Sequence, residues 1–328
     1  MRSVAANAIT LVILLGIVAA GAVGYGVRMW TAPGPLAEER LFVVERGASL
    51  DRVASALEAE GVVESAALFR IGARYAGRDA GIRFGEYEVP AGASMEQVLE
   101  LLVSGRVVQY AVTAPEGLTS WEVVRLLEAE PVLSGEIASV PPEGTLAPET
   151  YSVSRGDRRA EVIDRMRRLQ DRNLEEAWAA RDPDIAISTP EEALILASII
   201  EKETAVADER ARVSAVFHNR LRRGMRLQSD PTIIYGITRG EGPLGREIRR
   251  SDIDRPTRWN TYAIDGLPPT PIANPGRDAL FAATRPERTD ELYFVADGTG
   301  GHAFARTLAE HNRNVAAWRE LERRRGSN

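Results

Sequence analysis

The sequence predicts an α+β protein in three parts: an N-terminal transmembrane helix, a small α/β region, and a larger, mainly helical domain that carries a β-hairpin. Three observations lead there. No charged residue occurs between Ser3 and Val27, a strand–turn–helix pattern then recurs three times, and helical periodicity dominates from Arg158 onward. The 328 residues are enough for two domains, and 44% hydrophobic with 27% charged residues is the balance of a chain that builds ordinary cores. A net charge of −6, a pI near 5.4 and the lack of a basic, aromatic-interleaved patch exclude a nucleic-acid partner. The chain has no cysteine, which excludes a disulfide framework, a thiol nucleophile and a thiolate metal site. His218, His302 and His311 are scattered without metal-ligand spacing, so no metal or other cofactor is expected.

The elements follow in chain order. "AITLVILLGIVAAGAVGYGV" has the length a bilayer requires, with Arg2 and the α-amine before it, Arg28 after it and Trp30 where interfacial aromatics belong. We expect a cytoplasmic tail at 1–7, a transmembrane anchor at 8–30 and the rest of the chain outside. A cleaved signal peptide is the rival, with Ala20-Gly-Ala22 as its cleavage site; the long apolar run favours the anchor. "TAPGPLAEER" (31–40) reads as a linker.

The repeats occupy 41–140. "FVVERGASLDRVASALEAEGVV" (42–63) is an apolar strand, a turn at Gly47, a Ser49 cap and a helix with Val53 and Leu57 on one face. Residues 87–108 repeat the plan with Gly92, Ser94, Val98 and Leu102, and 112–133 with Gly117, Thr119 or Ser120, Val123 and Leu127. Of the first two caps, only Ser94-x-x-Gln97 has the acceptor of a capping box. Such units resemble LysM-like modules that bind cell-wall glycan; a βα building block without a ligand is the alternative. Beyond a Pro- and Gly-punctuated connection at 141–157, helices are expected at 158–181, 189–205 and 208–224. Loop-rich stretches come next, then a hairpin over 291–307 and a final helix capped by Thr307-x-x-Glu310.

"ASIIEKET" (197–204) ends the most apolar of these helices on two acids. Thr189-Pro-Glu-Glu192 starts it with a capping threonine and proline at the first position. Leu196, Ile199, Ile200 and Glu203 then share a face, while Glu201 falls nearer Leu194 and Ala197. A carboxyl at a helix C-terminus against an apolar wall is pushed toward protonation, the state a general acid needs. A solvated helix tip with a local ion pair is the plainer reading, and spacing does not choose between Glu201 and Glu203.

"EGTLAPETY" (143–151), "LASIIEKETAVADERARVSAVFHNRL", "GMRLQSDPTIIYG", "NTYAIDGLPPTPIANPG" and "LYFVADGTGGHAF" resemble, in order, signatures of the endolytic murein transglycosylase (YceG-like) family. The resemblance covers nearly the whole chain and makes 141–328 its catalytic domain. His218 and Thr145-Leu-Ala147 depart slightly from the family pattern. The family cuts nascent peptidoglycan strands internally, between N-acetylmuramic acid and N-acetylglucosamine, and leaves 1,6-anhydro ends. The resemblance implies Glu203 as the catalytic acid, with Glu201 as a structural or tuning acid. It also implies that Gln228, Ser229, Asp230, Thr232, Asn260, Thr261 and Tyr262 line the sugar cleft. His302 is read as a hairpin residue. Partners implied are peptidoglycan strands, the bacterial inner membrane (single-pass, catalytic domain on the periplasmic side) and peptidoglycan synthases. A non-catalytic wall-binding scaffold and a hydrolytic muramidase remain the alternatives.

Overall fold

The computed structural model describes residues 2–326. Met1, where the expected tail begins, lies outside the described residues, as do Ser327 and Asn328. The chain forms two compact units. The first comprises the residues up to Tyr110 with Val132–Ser134 and Ser152–Asp157; the second comprises Ala111–Pro131, Gly135–Tyr151 and the chain from Arg158.

The first unit opens with α1 (Arg2–Thr31). Its stretch Ile9–Thr31 is, by length and composition, long and apolar enough to cross a membrane. Then follow β1 (Arg40–Val44), α2 (Leu50–Ala59), α3 (Ala66–Tyr75), β2 (Gly85–Val89) and α4 (Met95–Ser104). β1 and β2 pair antiparallel with Phe42 opposite Tyr87 and Val44 opposite Gly85. Strand alternation turns Phe42 and Val44 inward, where they meet Val53, Leu57, Phe69, Val98 and Leu102. Tyr87 is fully buried and stays satisfied because its hydroxyl donates to the carbonyls of Arg83 and Leu102, at 2.8 and 3.0 Å. Ser49 caps α2, and Ser94 with Gln97 forms the expected box on α4. The sequence reading missed α3, whose apolar positions are masked by "RIGARYAGR" around them.

The segment read as a linker (31–40) is tied down at Gly34 and Leu36. Gly34 N–H donates to the Gly92 carbonyl, Gly92 N–H donates to that of Leu36, and the Leu36 side chain is buried. A Cβ on Gly34 would lie 2.3 Å from the Ala93 carbonyl oxygen, so only glycine permits the approach.

β3 (Gln109–Thr113) and β4 (Thr150–Ser154) form a two-stranded ribbon. Between them in sequence lies α5 (Ser120–Ala129), the helix of the third repeat, which belongs to the second unit. Thr119, and not Ser120, is its cap, closed into a full box by Glu122. The second unit continues with α6 (Arg159–Ala179), α7 (Pro190–Glu203), α8 (Arg210–Arg222), α9 (Asp230–Thr238), the short α10 (Arg250–Ile253) and α11 (Arg277–Thr284). The hairpin of β5 (Tyr293–Ala296) and β6 (His302–Ala305) and then α12 (Leu308–Gly326) complete it. Leu196, Ile199 and Ile200 of α7 are fully buried against Val213 and Phe217 of α8 and Leu280 of α11. α9 lies in a stretch expected to be loop-rich, and α11 follows directly after another; proline begins α9 at its first turn, which reads locally as a turn signal. His218 is a structural pin. Its Nδ1 accepts from Ala186 N–H at 3.0 Å and Nε2 lies 2.8 Å from the Ala283 carbonyl, while burial lowers its pKa to about 4, so it is neutral.

Candidate active site

The triplet Glu201-Lys202-Glu203 ends α7, and its three side chains have different fates. Glu201 is almost completely buried; its Oε2 accepts from Gly276 N–H at 2.9 Å and its Oε1 lies 3.7 Å from Arg210. Arg210 also meets Glu116 at 3.2 Å and Asp278 at 3.4 Å, so Glu201 belongs to a charged knot joining α7, α8 and α11. Burial raises its pKa, the Gly276 N–H opposes that, Glu116 and Asp278 add to the rise and Arg210 opposes it. Lys202, the only lysine in the chain, donates to the Gly117 carbonyl at 3.1 Å.

Glu203 is left over. Its Oε1 is buried with no hydrogen-bond partner in the protein, while the residue as a whole is half-buried and not sealed. Burial raises its pKa to about 7, and Asp230 adds to the rise; the Ser229 hydroxyl, His302 and Arg220 act in the opposite direction. Ser229 is the N-cap residue of α9, yet its hydroxyl does not cap the helix and is itself buried without a well-formed hydrogen bond. Leaving such a buried oxygen unpaired costs about 1–3 kcal/mol.

The other residues named from sequence divide into two groups. Ser229, Asp230 and Tyr262 gather near the acid, with Gln228 preceding Ser229 in the chain. Asp230 is exposed and its Oδ1 accepts from the Tyr262 hydroxyl at 2.7 Å; the charges of both Glu203 and Asp230 raise the Tyr262 pKa, after burial and the Asp230 hydrogen bond. Gln228 is exposed and holds φ at +49°, a left-handed backbone that glutamine seldom adopts. Thr232, Asn260 and Thr261 are each fully buried and engaged internally. Thr232 Oγ1 donates to the Ser229 carbonyl at 2.6 Å, and Thr261 Oγ1 accepts from Ser229 N–H at 2.9 Å. Asn260 Nδ2 donates to the carbonyls of Ile253 and Arg255, both at 2.8 Å, while its Oδ1 accepts from Tyr262 N–H at 2.9 Å. The three hold the two loops that carry Ser229 and Tyr262.

Two contributors escaped the sequence reading. Arg220, buried on α8, donates to the Leu292 and Leu227 carbonyls at 2.6 and 2.7 Å and brings positive charge toward Glu203. Glu209 takes hold of His302: it accepts from the backbone N–H at 2.9 Å and lies 2.7 Å from Nδ1. A Cβ on Gly301 would lie 2.7 Å from the same carboxylate, which explains the glycine before this histidine. Both signals were present, in "HNRL" and "GGHAF", but the partners are far apart in sequence.

Three similarities bear on this geometry. The chain is 28% identical over 301 residues to the endolytic murein transglycosylase of Bacillus subtilis, covering 82% of each protein. It is 28% identical over 324 residues to that of Streptococcus pneumoniae, covering 83% of this chain and spanning only 57% of the streptococcal one. In structure it resembles a putative yceG-like protein of Listeria monocytogenes, with a TM-score of 0.53 and 27% identity over 84% of this chain and 98% of that one. Residues 42–317 match the YceG-like family as a whole, from β1 through the acid helix to α12, and the chain belongs to that family.

Proposed function

We propose that the protein is a membrane-anchored lytic transglycosylase that cuts nascent peptidoglycan strands internally, with Glu203 as its single acid and base. The observation that carries the reading is the Glu203 carboxyl, half-buried, unpaired at Oε1 and poised near neutrality between its two protonation states. Relatives named endolytic murein transglycosylases supply the substrate class.

Protonated Glu203 gives its proton to the glycosidic oxygen as the bond from that oxygen to C1 of the muramic sugar breaks. The carboxylate then takes the proton of the same sugar's 6-hydroxyl, whose oxygen closes onto C1. One bond is broken, one is formed, and Glu203 ends protonated again. The nucleophile belongs to the substrate, so no water needs activating and no second carboxylate is required, unlike a hydrolytic glycosidase. Arg220 and His302 ease the carboxylate stage of the cycle. Tyr262, oriented by Asp230, offers a ring face to a sugar, and the exposed amide of Gln228 offers hydrogen bonds to an acetamido group.

In this reading α1 is the single-pass anchor, at about 1.5 Å per residue long enough for a bilayer core. The remaining chain lies on the extracytoplasmic face of the bacterial inner membrane, where peptidoglycan synthases are the natural partners. The β1–α2–α3–β2 order of the first unit supports a LysM-like glycan-holding role.

Mass spectrometry of strands cut by the full-length protein tests the activity. Anhydro-muramic ends are expected; reducing ends would make the protein a hydrolase, and uncut strands would make it a scaffold. A second expectation concerns Gln228→Gly. Removing a left-handed glutamine should leave stability unchanged or raise it by about 1 kcal/mol. Losing the amide should lower cleavage at limiting strand concentration by about three- to tenfold. A melting curve and an initial-rate series check the two halves.

A further inference from the structure

Outside the active site, the first unit carries an unexplained surface beside the exit of α1. The Trp30 ring lies over Gly72 of α3, so close that a Cβ there would meet it at 2.2 Å, and its centroid is 6.1 Å from that of Phe69. This contact fixes α3 next to the last turn of the apolar helix. Going round α3 from Gly72, the adjoining strips carry Leu68, Tyr75 and Ile71. Leu68 packs on the core, but Tyr75 is 94% exposed and Ile71 64% exposed. Arg70 and Arg74 lie on the face opposite Gly72, paired with Asp51 at 3.3 and 3.7 Å, and Arg74, three residues on from Ile71, borders the apolar strip.

We propose that this strip of α3 is a membrane-contact face, resting on the bilayer that α1 crosses, with Ile71 entering the acyl boundary and Tyr75 lying among the headgroups level with Trp30. Position argues for it: α3 adjoins the very end of the apolar span, Ile9–Thr31, where the membrane–water interface must fall. Chemistry agrees, because tyrosine and tryptophan favour that interface and isoleucine favours the layer below it. Size argues against a protein partner. A stable protein interface takes roughly 800 Å² from each side, far more than two side chains offer. A lipid contact needs no such area, since the anchor already holds α3 beside the surface.

The inference rests on α1 being a transmembrane anchor, and the test separates the two claims. The chain has no cysteine, so Val18→Cys, Ile71→Cys, Tyr75→Cys and Glu88→Cys each introduce one nitroxide label into the full-length protein. In nanodiscs of phosphatidylethanolamine and phosphatidylglycerol, collision rates with oxygen and with a water-soluble nickel chelate are compared. Position 18 is expected to favour oxygen strongly. Positions 71 and 75 should favour it at least threefold more than position 88, on the exposed side of β2. Labels at 71 and 75 that meet the chelate as freely as position 88, with position 18 still buried in lipid, would overturn the contact while leaving the anchor intact. A water-exposed label at 18 would overturn both, and labels at 71 and 75 shielded from both colliders would indicate a protein partner and overturn the lipid contact.

Discussion

Glu203→Gln is expected to abolish strand cleavage, by about 1,000-fold or more, because in the proposed cycle one carboxyl performs both proton transfers and glutamine would perform neither. The fold should survive, and above neutral pH it should become more stable. Burial raises the Glu203 pKa from 4.5 to about 7, so the folded protein binds a proton that the unfolded chain releases. That contribution is complete below pH 4.5, fades as pH rises through 7, and is absent above it. The uncharged glutamine has no such loss. The variant should therefore melt like the parent near pH 4 and exceed it by on the order of 2 kcal/mol at pH 8. Loss of activity without this pH-dependent gain, in calorimetry of the full-length protein in detergent, would contradict burial as the source of the acid's poise. Glu201→Gln provides the contrast. Its amide oxygen still accepts from Gly276 N–H while the pairing with Arg210 weakens, so activity should fall only severalfold.

Asn274→Ala is expected to be the most destabilising single change in the second unit. Asn274 is fully buried; its Oδ1 accepts from Leu146 N–H at 2.9 Å and its Nδ2 donates to the Leu118 carbonyl at 3.0 Å. Its own backbone pairs with Gly117 and Leu118. The residue thus binds the Gly117 turn, the 143–151 segment and the loop leading to Gly276. Alanine leaves the Leu146 N–H buried without an acceptor and opens a small void, at about 3 kcal/mol together. For a unit of this size that lowers the melting temperature by roughly 6–12 °C. Lys202 and Glu201 hold on to the same two loops, so the acid helix loses part of its bracing and cleavage should slow as well. Melting curves and rates on the same preparation check both effects; an unchanged melting temperature would remove Asn274 from the framework.

The capped, periodic elements were legible in the sequence. Ser94 with Gln97, Thr189 before Pro190 and Thr307 with Glu310 mark helix starts by local chemistry, and the structure has helices at all three. α3 and α9 were not legible, the first because arginine and glycine interrupt its face, the second because Asp-Pro reads equally as a turn. The acid helix itself was visible, but spacing could not rank its two glutamates. That distinction depends on which one meets Gly276 and Arg210, residues supplied by other elements. The same holds for Asn260, Thr232 and Thr261: their polar groups suit a sugar as well as a loop, and only the bonds they make decide.

The pinned segment at Gly34 has a consequence for reach. A free coil over residues 31–40 would let the first unit wander roughly 17 Å from its tether. Locked through Gly34 and Gly92, the tether has no slack, so under the proposed anchoring of α1 the first unit would be held close to the membrane surface. Under that proposal, strands still emerging from synthesis would lie within its reach and mature, outlying material would not.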